Sequence, residues 1–339
     1  MTPSPAEPRA WRKILAAYQH PSLPRSILEI VFTAAPLAAL WGLAWVAAAT
    51  GYWWLALLLA VPAAGFLLRL FMVQHDCSHQ SFFASPAAND WIGRVIGVFT
   101  LTPYQHWRRG HNIHHATSGD LDHRGLGAVT TLTVDEYRAL PRWRRLKYRL
   151  YRHPLVLFGL GPAFLFGLEH RLPIGSMRAG WRPWASAMGT NLAIAAFIST
   201  LVWLGGWQLL VFVQLPSTLL AASIGVWLFY VQHQFEYTYW ARRADWNSTE
   251  AALHGSSHYD LPAVLRWMTA NIGVHHVHHV NARIPFYRLQ TVIRDNPDLK
   301  HMSRLSLMDS FRCVGLSLWD ECNQRLISFR QFRLAEQAR

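Results

Sequence analysis

Long uncharged runs alternate with polar blocks along this chain. Residues 30–50 carry no charge, 52–74 carry only Arg69, and 185–205 and 207–231 carry none. Each run is long enough to cross a hydrocarbon core of about 30 Å as a helix of roughly 20 residues. The runs come in two close pairs, joined by short turns at Gly51 and at Gly205 and Gly206. The pattern therefore predicts an all-α integral membrane protein with two transmembrane helical hairpins, that is, four spans. The polar blocks at 75–184 and 232–339 are expected to supply interfacial helices and a helical cap. No repeat or low-complexity linker interrupts the order, so 1–339 reads as one domain.

Two further apolar stretches, 91–104 and 154–168, are shorter, and the second is broken by Gly159, Gly161 and Pro162. Both read as interfacial or re-entrant helices. Residues 1–29 hold several prolines and a basic amphipathic stretch over 11–20, an interfacial lead-in. The first apolar run lies too far in, and is too long, for a secretory signal.

Composition agrees: 52% of the 339 residues are hydrophobic, 15% are charged and 17 are Trp, too apolar for an ordinary soluble domain. The formal charge of +13 raises nucleic acid as a partner, but the position of the charge argues against it. Ten Lys and Arg fall between 108 and 152, many more follow Arg242, and the turns inside the hairpins have none. The positive-inside bias places the N-terminus, 75–184 and everything after 231 in the cytoplasm, where a basic surface would attract anionic headgroups. Cys77, Cys313 and Cys322 form no C-x-x-C pair and fall on that reducing side, so neither disulfides nor a thiolate metal site is expected.

The chemistry lies in the histidines, which cluster as His75-Asp-Cys-Ser-His79, His111-Asn-Ile-His114-His115 and His275-His276-Val-His278-His279. Spacings of three and four put side chains on one helix face, with Cβ atoms about 5–6 Å apart. A face of two or three imidazoles suits a metal and does not suit a hydrophobic core. A tetrahedral zinc site needs four ligands, whereas the clusters offer eight (His75, His79, His111, His114, His115, His275, His278, His279), enough for two metals with open positions. Imidazole alone does not choose the metal. The Glu and Glu-x-x-His pairs of soluble di-iron bundles are missing. If the clusters share one site, an even number of crossings must separate them, which again keeps 91–104 and 154–168 from spanning.

These motifs, with Gln-Ser-Phe after the first, Ala-Thr after the second and Ile284-Pro285-Phe-Tyr287 after the third, resemble the histidine boxes of membrane fatty acid desaturases. The likeness is to the bacterial and cyanobacterial acyl-lipid Δ12 (omega-6) type. It covers roughly 30–295, including Thr131-Leu-Thr-Val-Asp-Glu-Tyr and Gly255-Ser-Ser-His-Tyr. It departs at Ser78, where relatives commonly have Gly. The resemblance implies a di-iron centre, O2 as co-substrate, a cis double bond placed in a lipid-linked acyl chain, and a ninth ligand at His233, where the last span ends. It also implies a multi-pass protein of a bacterial inner membrane with its site on the cytoplasmic face.

The other nine histidines, His20, His106, His123, His153, His170, His254, His258, His276 and His301, are left out of the site. Asp76, Asp120, Asp122, Glu236 and Asp260 are the candidates for orienting ligands. Trp227, Phe229, Trp246 and Trp267 are candidates to line an acyl tunnel. No cytochrome b5, iron–sulfur or flavin motif is visible, so electrons are expected from a separate ferredoxin or cytochrome. The competing readings are a di-iron hydroxylase or ketolase of lipid, alkane or carotenoid, a metal transporter, and a haem-binding membrane cytochrome. The transporter would place its metal-binding residues at mid-membrane, and the cytochrome would pair histidines within the spans.

Overall fold

The computed structural model describes residues 8–124 and 127–338. Residues 1–7, assigned to the cytoplasm by the charge bias, lie outside the described residues. Helix α1 (Pro8–Leu15) buries Trp11 and Leu15 against the core. It leads into α2 (Leu23–Ala49) and α3 (Trp53–Ser78), which turn back on each other at Gly51, where a positive φ of 90° suits a residue without a Cβ. The first half of α3 exposes Trp53, Trp54, Leu57, Leu58 and Val61, whereas nearly all of 67–78 is buried. α3 thus begins with an exposed apolar surface and ends inside the protein, carrying His75 in its last turn.

α4 (Pro86–Phe99) and α5 (Tyr104–Thr117) follow. They are held to the end of α3 by specific bonds. Thr100 Oγ1 donates to Gln74 Oε1 at 2.6 Å, and Tyr104 Oη donates to the Cys77 carbonyl at 2.8 Å. Gly93 makes room for that tyrosine, since a Cβ there would lie 2.3 Å from its ring. The polar block continues with α6 (Val134–Ala139), α7 (Arg142–Tyr151), a π-helical turn (Val156–Leu160) and α8 (Gly161–Gly167). The stretches 91–104 and 154–168 therefore form helices too short to cross a membrane.

Next come α9 (Trp181–Leu209), a π-helical turn (Leu210–Gln214) and α10 (Leu215–His233). Among the described residues three helical stretches are long and apolar enough to cross a membrane: Leu23–Ala49, Trp53–Ser78 and the 53-residue stretch Trp181–His233. The last is broken at Gly206, whose φ of 70° and ψ of −179° are not helical. The break falls at the turn expected from the paired glycines.

The C-terminal block holds α11 (Ser248–His254), α12 (Ala263–Met268), α13 (His275–Val280), α14 (Leu289–Asp295), α15 (Leu307–Cys313) and α16 (Phe329–Gln337). The protein is mostly helical, but the all-α expectation needs correction. β1 (Leu132–Thr133), β4 (Leu316–Asp320) and β5 (Arg325–Ser328) form one sheet in the order β1-β4-β5, and β2 (His258–Asp260) pairs in parallel with β3 (Arg304–Ser306). Strands of two to five residues are too short to show an alternating pattern. The hairpin of β4 and β5 buries Leu318, Trp319, Leu326 and Ile327 together, so neither strand has a polar face.

Candidate metal centre

Four elements bring the histidines together. His75 and His79 end α3, His111, His114 and His115 lie along α5, His233 closes α10, and His275, His278 and His279 lie on α13. They sort into two groups that cut across the sequence clusters. One holds His75, His79, His111, His115 and His278; the other holds His114, His233, His275 and His279. Within each group the available ligand nitrogens lie within 4.8 Å of one another. α5 and α13 each serve both groups, because residues three apart on a helix point to different sides of the four-residue stripe.

The nitrogens face one another closely. Nε2–Nε2 distances are 3.0 Å for His79–His111, 3.2 Å for His111–His115 and 3.2 Å for His115–His278. In the second group they are 3.1 Å for His114–His233, 3.0 Å for His233–His275 and 3.1 Å for His275–His279. A neutral imidazole nitrogen offers either one N–H or one lone pair. No set of tautomers therefore makes all three contacts in a chain of four into linear hydrogen bonds. A cation at the centre of each group would satisfy the converging lone pairs, so the donor set fits two metal ions. Burial, and then the neighbouring imidazoles, hold His111, His114, His115, His275, His278 and His279 well below the ordinary histidine pKa, which leaves them neutral.

The surroundings fix several of these rings. His233 Nδ1 donates to the Gly255 carbonyl at 3.0 Å, which turns its Nε2 lone pair to the group. Asp76 is buried between two boxes. One carboxylate oxygen lies 3.3 Å from His75 Nδ1, and the other accepts the Phe286 N–H at 2.7 Å, just past the third box. Trp107 stacks on His111 with centroids 4.6 Å apart, and Phe229 lies 4.9 Å from the His114 ring. A recess beside the second group is lined by His114, His233 and Phe229 with Thr117, Arg124, Val129 and Gln234.

Of the five acids considered as orienting groups, only Asp76 reaches one of the nine histidines. Asp120 pairs with Arg243, Asp122 with Arg242, Glu236 with Arg325 and Asp260 with Arg304. The Ser78 hydroxyl donates back to the His75 carbonyl at 2.6 Å, along its own helix. His276 sits between two members of the third box, but its Nε2 donates to the Leu299 carbonyl at 2.8 Å. His258 bonds the Lys300 carbonyl and His254 approaches Glu250. Of the four aromatics considered for a tunnel, only Phe229 borders the imidazoles. Trp227 packs on Phe158, Trp246 donates to the Ser118 carbonyl, and Trp267 lies under the Arg69 guanidinium. The Gly255 carbonyl and the stacking Trp107 were not foreseen. A backbone acceptor carries no side-chain signal in a sequence.

The family model described as fatty acid desaturase matches residues 52–302, a region that contains all nine histidines. The chain is also 42% identical over 321 residues to the "Fatty acid desaturase" of Bacillus subtilis (strain 168), covering 95% of this chain and 90% of that one. This chain belongs to the fatty acid desaturase family. It is similar as well to the "sn-1 oleoyl-lipid 12-desaturase" of Arthrospira platensis, at 25% identity over 74% of this chain and 70% of that one. A further desaturase, the "sn-1 acyl-lipid omega-3 desaturase (ferredoxin)" of a Synechocystis species, is 29% identical over 65% of this chain and 61% of that one. The enzyme is thus an oxidoreductase of lipid metabolism with membrane-crossing helices and histidine clusters that could hold metal.

Proposed function

We propose that the enzyme introduces a cis double bond into a lipid-linked fatty acyl chain, using two iron ions held by nine histidines. His75, His79, His111, His115 and His278 would hold one ion, and His114, His233, His275 and His279 the other. The converging imidazoles of two separate groups, in a chain of this family, are the observation that carries the reading. Neither C–H of an unactivated methylene pair is appreciably acidic, so side-chain acid–base chemistry does not suffice. Two iron ions, with O2 and two electrons, would supply the oxidising power to remove both hydrogens. The protein's own part is positional. His233 is oriented by Gly255, His75 by Asp76, and His111 by Trp107. The aromatic and aliphatic packing around α5, α10 and α13 keeps bulk water from the imidazoles, most of which are buried.

The break at Gly206 supports two crossings within the stretch Trp181–His233, for four in all. In this reading 1–339 acts as one domain in a bacterial inner membrane, and the positive-inside bias supports a cytoplasmic side for the histidines. Electrons would come from a separate donor. The name of the Synechocystis relative supports a ferredoxin, and a cytochrome is the other candidate. The test is expression in a bacterium that lacks polyunsaturated lipids, followed by fatty-acid analysis of each lipid class. A new double bond in glycerolipid acyl chains is the expected result. No new double bond, with iron bound and a donor supplied, sinks the reading. A hydroxylated chain, which gains oxygen, would point to the hydroxylase chemistry instead.

A further inference from the structure

α7, with the sequence RWRRLKYRLY, contains no acidic residue. At 3.6 residues per turn Trp143, Leu146 and Leu150 fall within an arc of about 60°. All three are exposed, at 62%, 59% and 56%. Arg142 and Lys147 stand about 40° beyond the two edges of that arc, and Arg144 lays its guanidinium 5.0 Å over the Trp143 ring; all three are exposed and pair with no carboxylate among the described residues. The opposite side is polar and fastened down. Tyr148 donates to the Ser317 carbonyl at 2.6 Å, and Arg149 donates to Tyr137 Oη at 2.7 Å. Arg152, the residue just past the helix, is buried and donates to Tyr230 Oη at 3.2 Å and Gln234 Oε1 at 3.0 Å.

This arrangement inverts that of a surface helix in a soluble protein, which hides its apolar stripe and shows its charges. The bonds of Arg152 fix the depth. They reach the last turn of α10 on either side of His233, where the helix leaves the apolar layer. Beyond α7 the apolar surface continues through exposed Leu155, Leu160, Phe164 and Leu168. An outward apolar stripe edged by cations, level with the end of a membrane helix, suits the acyl boundary and the anionic headgroups above it.

We propose that α7 is an anionic-lipid contact helix, with Trp143, Leu146 and Leu150 sunk into the leaflet and Arg142, Arg144 and Lys147 paired with phospholipid headgroups. This rests on the membrane reading of α10 and on neither the metal nor the acyl substrate. The full-length protein would be placed in nanodiscs of phosphatidylcholine with or without phosphatidylglycerol. An environment-sensitive fluorophore would be attached at Trp143→Cys, and separately at Leu150→Cys, in a Cys322→Ser background, since Cys77 and Cys313 are buried. Quenching by nitroxide lipids is compared with quenching by aqueous acrylamide, and bound phosphatidylglycerol is counted by native mass spectrometry.

The label is expected to be quenched by nitroxides near the headgroup, shielded from acrylamide, and shielded further by phosphatidylglycerol. Arg142→Gln, Arg144→Gln and Lys147→Gln should each lower the preference for phosphatidylglycerol by roughly fivefold at low salt. A label open to acrylamide and blind to lipid nitroxides in both discs overturns the proposal. So does shielding that requires an acidic electron-donor protein or a second copy of the chain. The quenching comparison needs no charge variant, so it decides the matter even where a glutamine variant misfolds.

Discussion

His114 and His233, 119 residues apart in the chain, bring their Nε2 atoms to 3.1 Å. One comes from the polar helix α5 and the other from the last turn of the apolar helix α10, so the second group depends on how these two helices dock. His233→Ala is expected to reduce bound iron toward half and to lower desaturation by more than about 100-fold, since weakening an outer partner alone costs 10–100-fold. His276→Asn, at a ring turned to the Leu299 carbonyl, should keep its iron. Iron analysis of purified protein checks both, and full iron in His233→Ala would remove this histidine from the site.

Asp76 joins the first box to the segment after the third. Asp76→Asn keeps an acceptor for the Phe286 N–H but loses the charge beside His75, so iron affinity should fall roughly 10–100-fold with little loss of stability. Asp76→Ala also strands a buried donor, at a further cost of about 1–3 kcal/mol. Competitive chelator titration and thermal unfolding separate the two effects. Equal iron affinity in wild type and Asp76→Asn would show that the carboxylate does not orient His75.

Gly273 passes close to Tyr259, whose N–H donates to the Gly273 carbonyl at 2.7 Å, while a Cβ at Gly273 would lie 2.3 Å from the Tyr259 carbonyl oxygen. Gly273→Ala must therefore push apart the backbone that leads into His275. A destabilisation of about 1–3 kcal/mol is expected, with reduced occupancy of the second metal group. Iron content and the thermal midpoint, both unchanged, would show that the contact yields freely.

Glu29 and Arg69 form a buried ion pair between α2 and α3, and Arg69 also stacks 4.1 Å over Trp267 and donates to its carbonyl. Glu29→Gln leaves the guanidinium without its counter-charge and should cost about 3–5 kcal/mol, whereas Glu29→Leu with Arg69→Met should cost less than either change alone. Unfolding in detergent measures this. Additive losses in the double variant would show that the pair is not coupled.

His170 is buried, and its pKa is pushed down to about 3 by burial first and then by the charges of Arg171 and His106. The unfolded chain takes up this proton near pH 6.5, while the folded chain resists it until about pH 3. Stability from this group is therefore full above about 6.5 and is lost as pH falls, by about 1.4 kcal/mol per pH unit. The midpoint of His170→Phe, relative to wild type, should rise as the pH is lowered from about 7 to 5. A constant difference across that range would contradict the assignment.

The hydropathy runs and the box spacings are local properties, and the sequence alone carried them. An uncharged run of 20 residues has one low-energy solution in lipid, and imidazoles four apart share a helix face wherever that helix goes. The apolar runs that became α2, α3, α9 and α10, the turn at Gly206 and the eight box histidines were legible for that reason, whereas His233 came only from the resemblance to the family. The division into groups of five and four was not. His114 leaves the face shared by His111 and His115, and His278 leaves that of His275 and His279, so the partition depends on how α5 and α13 cross. The bond from His233 to Gly255 depends equally on a backbone carbonyl brought up by the chain fold. The two small sheets were missed because their strands are too short for a period, and β4 and β5 are buried on both sides. The reversed face of α7 could be read as amphipathic, but only packing shows which side is outward. Spacing along a helix sets which side chains stand together; distances across the chain set what they meet.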